Sequence, residues 1–90
     1  MDCAVEKARE VFLGYNYSMP LSSGRVLRLD ESTVKVRYAC LTVTWVNGRI
    51  RRVWETVVSA WMSDGLTPAS SAMIYIHPET GEVLDVIFCY

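Results

Sequence analysis

Apolar and polar positions along the chain fall into two rhythms, a helical one at the start and a strand-like one after it. Within residues 2–13, Ala4, Val5, Ala8, Val11 and Phe12 recur at spacings of three and four, which aligns them on one face of a helix. Glu6, Lys7, Arg9 and Glu10 take the other face, Asp2 stands where an N-cap belongs, and Gly14 supplies the stop. Residues 15–24, YNYSMPLSSG, read as a loop by composition, with Tyr15, Tyr17 and Met19 expected to pack onto the body.

After Gly24 the period becomes two. RVLRLD is a short strand, then TVKVRYACLTVTWV and RIRRVWETVVSAWM form two long ones around Asn47-Gly48. Asn-Gly between β-branched and aromatic runs predicts a hairpin, because both central turn residues must take positive φ. A two-residue turn there makes paired residue numbers sum to 95. Trp45 then faces Ile50, Val43 faces Arg52 and Leu41 faces Trp54 on one side. On the other side Thr44 faces Arg51, Thr42 faces Val53, Tyr38 faces Val57 and Val34 faces Trp61. Val34, Val36 and Tyr38 are out of phase with Leu41, Val43 and Trp45, which predicts a bulge near Ala39–Cys40 or a strong twist there.

SDGLTPASS is a loop, and AMIYIH, PETG and EVLDVIFCY make a second hairpin with Gly81 at its left-handed turn position. The expected fold is α+β: one N-terminal helix packed on a four- to five-stranded antiparallel sheet, a single domain over residues 1–90, PepSY-like or cystatin-like in shape.

Composition adds bounds. Ninety residues, 51% apolar and 21% charged, suit one globular domain with a modest core. No run is long and apolar enough to cross a membrane as a helix. The opening MDCAVEKAREVF carries charges where an export signal is apolar, which favours a cytoplasmic protein unless a leader has been trimmed. The net charge of −1 hides an asymmetry: residues 25–52 sum to +5, from seven Lys and Arg against two Asp and Glu, and residues 53–90 sum to −5. Either adjacent strands pair these charges, or the surface is two-signed and suited to docking. The three cysteines, Cys3, Cys40 and Cys89, have no zinc spacing and no even count for disulfides. Cys40 and Cys89 lie in apolar runs and read as buried small hydrophobes, with Cys3 near the surface.

VWETVVSAW, a polar loop and AMIYIHPETGEVLDVIF together resemble the PepSY module of peptidase propeptides and stand-alone prokaryotic proteins. Trp54, Thr80, Gly81, Glu82, Val83 and Leu84 match its recurring ending, over about the last forty residues. The family has an acidic residue where this chain has His77, and the long basic hairpin is a further departure. The resemblance implies regulatory, non-catalytic binding, with a peptidase as partner.

Three chemistries compete for the remaining residues. A small enzyme must use His77, with Cys40 or Cys89 as nucleophile and Asp85 or Glu82 to orient the ring. The structural alternative makes His77 a turn residue beside Pro78, paired with Glu82. RIRRVW suggests nucleic acid, since arginine beside tryptophan stacks on bases and reaches phosphates. The chain's pI near 5.7 opposes that reading. Its aromatic richness favours a protein partner or a second copy of the chain, because Trp and Tyr are frequent binding anchors. The candidate partner-binding residues are Trp45, Arg49, Arg51, Arg52 and Trp54 on the long hairpin, with His77 and Glu79 at the second tip. The residues call for no cofactor and no metal.

Overall fold

A computed structural model describes residues 2–15 and 18–89 of the chain. Helix α1 (Asp2–Gly14) packs on a four-stranded antiparallel sheet of order β3-β4-β5-β6, formed by β3 (Lys35–Val46), β4 (Arg49–Ser59), β5 (Ser71–Ile76) and β6 (Val83–Cys89). A separate two-stranded ladder joins β1 (Ser18–Pro20) to β2 (Val26–Arg28). The α+β class follows directly from these elements. The RVLRLD strand does not join the main sheet, because its partner is Ser18–Pro20, inside the stretch whose composition reads as loop.

The helix buries Ala4, Ala8 and Phe12, one residue per turn, against Val34, Val58, Ala72, Ile74 and Ile76. Two alanines near its start let the helix lie close to the strands, and Phe12 fills the space at its end. Arg9 fixes the helix laterally, donating through Nη2 to the Glu31 carbonyl at 3.1 Å and through Nε to the Val34 carbonyl at 3.4 Å. Gly14 is the last helical residue, but it does not take a left-handed φ; the helix ends on a 3.3 Å bond from Tyr15 N–H to the Phe12 carbonyl. Tyr15 stacks edge-on against Phe88 with centroids 5.1 Å apart. The Asp2 cap and the packing of Tyr17 fall on side chains outside the described residues.

The hairpin register sums to 95 from Tyr38–Val57 to Val46–Arg49, as the Asn-Gly turn requires. Asn47 and Gly48 have φ of 52° and 79°. The bulge lies between Val36 and Tyr38, at Arg37, and not at Ala39–Cys40. Val36 therefore pairs with Val58, and the extra residue brings Val34 and Val36 onto the helix-facing side with Ala39, Leu41, Val43 and Trp45. Trp61 leaves the strand for an isolated bridge to Pro68 and does not face Val34.

β6 carries its own irregularity, a register shift between Tyr75 and Ile76 that leaves Leu84 as the extra residue. Val83, Val86 and Phe88 pack toward the helix, whereas Leu84 joins Val46, Val53, Tyr75 and Met73 in a second small core behind the sheet. β4 pairs with β5 only over Trp54–Val58. Beyond Trp54 the β3–β4 ribbon is free of β5, and its end bends across the back of the sheet toward Leu84. Isolated two-stranded ribbons twist strongly, which makes this bend natural.

Candidate functional site

The bend leaves the front of the ribbon uncovered. Three cross-strand pairs form rows on that side: Leu41–Trp54 at the base, Val43–Arg52 in the middle and Trp45–Ile50 at the tip. Trp45 is 67% exposed, Val43 61%, Ile50 61% and Leu41 42%. A 13-residue helix spans about 20 Å, while a 12-residue strand spans about 40 Å. The helix therefore covers only the half of the front face where Val34, Val36, Thr56 and Val58 lie. Leu41, Val43, Trp45 and Ile50 remain as one contiguous run of exposed apolar side chains beyond the helix.

At the base of this patch a groove of about 440 Å³ opens between the start of α1 and the β5–β6 turn. Its walls include Cys3, Ala4, Trp54, Ile76, Pro78 and Glu79. Trp54 thus belongs to both the patch and the groove. His77 also lines the groove, and its Nδ1 accepts the backbone N–H groups of Glu79 at 3.1 Å and Thr80 at 3.2 Å. His77 N–H donates to the Glu82 carbonyl at 2.8 Å, and Gly81 N–H donates to the His77 carbonyl at 3.0 Å. The imidazole holds the turn as an aspartate carboxylate does in an Asx-turn. The His77 ring therefore bonds the turn amides and not the Glu82 side chain; His77 and Glu82 meet only through the backbone.

The arginines divide between faces. Arg52 shares the front with Trp45 and Trp54, while Arg49 and Arg51 sit opposite Val46 and Thr44 on the back. A combined arginine–tryptophan platform therefore has only one arginine. No directly opposed pair in the main-sheet registers joins a basic residue to an acidic one. The charge asymmetry is not neutralised by opposed pairs across the strands, and the basic ribbon end and the acidic Glu79–Glu82 turn present separate charges.

The residues of an enzymatic reading are dispersed. Cys89 pairs with Ser71, six residues along from His77 and roughly 20 Å away. Cys40 lies on the edge strand with Glu55 opposite it, on the back of the sheet. Asp85 faces the same side, next to Tyr75, whose phenol is pushed above its ordinary pKa by burial and by the Glu55 and Asp85 charges. Cys89 is exposed and Cys40 only half-buried, so neither is the core residue its apolar run implies; Cys3 is exposed as expected. Edge strands with uncovered faces explain both differences. Among the described residues, no group of three or more His, Cys, Asp or Glu could hold a metal ion, and no helix is long and apolar enough to cross a membrane.

Sequence reasoning missed Leu41, Val43 and Ile50 as surface residues, because alternation alone assigns them to a covered face. The mismatch of helix and strand lengths was the available signal. The chain matches no protein-family model, no curated protein and no solved structure.

Proposed function

We propose that this chain is a non-catalytic protein-binding module whose contact surface is the front of the β3–β4 ribbon. The observation that carries the reading is the row of large apolar side chains, Leu41, Val43, Trp45 and Ile50, all left exposed on one face. Hydration of that surface is unfavourable at about 25 cal/mol per Å², so covering it supplies a driving force for association. Trp45 at the tip and Trp54 at the groove are the anchors, and Arg52 and Glu79 give the rim opposite charges. His77 holds the turn that positions Glu79. Two partner classes fit: a peptidase, which the PepSY resemblance implies and which makes the module a regulator or inhibitor, and a second copy of the chain.

The test is retention from an extract of the native source on immobilised wild-type chain and on Trp45→Ser, at low and moderate salt. A specific protein held at moderate salt by the wild type and lost by the variant supports the reading. Equal retention by both refutes the assigned face. Nucleic acid alone, released as salt rises, transfers the function to the arginines.

A further inference from the structure

We infer that the partner joins this chain by strand addition: an extended segment, apolar at alternate positions and acidic at its ends, pairs along the free edge of β3 over Ala39–Val46. This rests on reading the front of the ribbon as a binding surface. β3 is an end strand of the main sheet, with β4 on one side and, among the described residues, no strand on the other. The two-residue turn at Asn47-Gly48, with both φ values positive, is closed by Val46 and Arg49 exchanging backbone bonds. Bonded and non-bonded pairs alternate from there, so Trp45, Val43, Leu41 and Ala39 turn their N–H and C=O groups outward. Leu41, Val43 and Trp45 also carry exposed side chains of the front face. Backbone bonding and apolar contact are thus offered by the same residues, at the period of two that an extended segment shares.

The devices that ordinarily blunt an exposed edge are charge, proline and bulges. β6 has Asp85 and its irregularity at Leu84, and the free end of β4 has Arg49, Arg51 and Arg52. β3 has Lys35 and the bulge at Arg37, but the eight residues from Ala39 to Val46 hold no charge, proline or glycine. The Leu41 carbonyl meets the Cys40 thiol at 3.6 Å, a weak contact that leaves its second lone pair open. Charge selects the occupant. Residues 35–54 carry Lys35, Arg37, Arg49, Arg51 and Arg52 with no Asp or Glu. These cations stand at both ends of the uncharged run, so acidic residues at the ends of the incoming segment find opposite charges. An antiparallel second copy of β3 would instead set its own Lys35 and Arg37 beside the basic turn end, like against like.

The probe is a synthetic peptide of alternating Val and Thr with Glu-Asp at each end, titrated into the full chain and followed by amide NMR. Binding with slowed hydrogen exchange at Leu41, Val43 and Trp45 is expected. Only one alternate set of peptide nitrogens can face β3. Methylating that set should weaken binding roughly tenfold or more, and methylating the other should change it little. Replacing the acidic ends by Lys-Arg should weaken it several-fold, most at low salt. No binding, or equal loss from both methylated sets, overturns strand addition. Indifference to the charge of the ends overturns the acidic chemistry of the segment. Protection of the same amides in the chain alone as its concentration rises overturns the partner segment in favour of a second copy. If strand addition fails while an extract protein is still lost on Trp45→Ser, the front face stands as a surface that binds by side-chain contact.

Discussion

The side-chain amide of Asn47 donates to the carbonyl oxygen of Leu84 at 3.2 Å, across 37 residues of sequence. This bond ties the turn of the long ribbon to the irregular residue of β6, which stands opposite no residue of β5 in the register. Val46 and Val53 close beneath it against Tyr75. The ribbon is therefore held down on its back, and its front is presented outward as a fixed surface.

Asn47 has two duties, and two substitutions separate them. Asn47→Gly keeps the positive φ and loses only the amide, so it should cost about 1 kcal/mol. Asn47→Ala keeps a β-carbon at the left-handed position but loses the polar side chain that lets asparagine tolerate it, and should cost about 1–2 kcal/mol more than Asn47→Gly. Urea denaturation of both variants measures the difference. Equal costs would mean that backbone strain at the turn is negligible.

Stability and surface should respond oppositely to aromatic truncation. Phe12 is 1% exposed beneath the helix, and Phe12→Ala should cost about 3–5 kcal/mol, enough to unfold much of a small domain. Trp45→Ser should change stability by no more than about 0.5 kcal/mol in the monomer. Thermal or urea unfolding at low protein concentration decides. A large loss at Trp45 would make it a packing residue.

His77 is expected to be replaceable by an acceptor of similar reach. His77→Asp should hold the turn amides and keep the wild-type midpoint, whereas His77→Ala should lose about 1 kcal/mol with both N–H groups returned to water. Matching losses in the two variants would show that the ring contributes by packing.

Asp64 organises the loop after β4. It accepts Leu66 N–H and Thr67 N–H at 2.9 Å each, and the Thr67 hydroxyl at 2.7 Å. The Thr67 side-chain bond, then the backbone bonds, hold its carboxyl below the ordinary carboxylate pKa. A depressed folded pKa gives a stabilisation fully present above the ordinary value and lost as pH falls through the lowered one. An NMR titration of the Asp64 side chain should therefore show a midpoint below that of a free aspartate, moving upward in Thr67→Val. An unchanged midpoint in that variant would assign the shift to the backbone amides alone.

Much of the architecture is legible in residue pattern, and the misses have physical causes. Ala4, Ala8 and Phe12 announce the helix face, and Asn47-Gly48 fixes the register, since few other residues accept two positive φ values in succession. The phase break between Val36 and Leu41 signals an irregularity, either a bulge or a strong twist, and the structure has a bulge. Its place at Arg37 depends on which residue the helix needs inward, and that is a tertiary choice. Ser18–Pro20 is only three residues long and ends on a proline, so it does not announce itself as a strand. For the candidate site, Trp45, Arg52 and Trp54 share the front, while Arg49 and Arg51 face the back as the register requires. The exposure of Leu41, Val43 and Ile50 follows from how far the helix reaches, which periodicity does not encode.

The most direct measurement is the position of change in amide NMR spectra of the full chain when the protein that it retains from its native extract is added. Shifts gathered on Leu41, Val43, Trp45, Ile50, Arg52 and Trp54 are expected from docking on the ribbon face. Shifts centred on Tyr38, Val57, Met73 and Ile87 at the back of the sheet, or spectra that do not change, would contradict it.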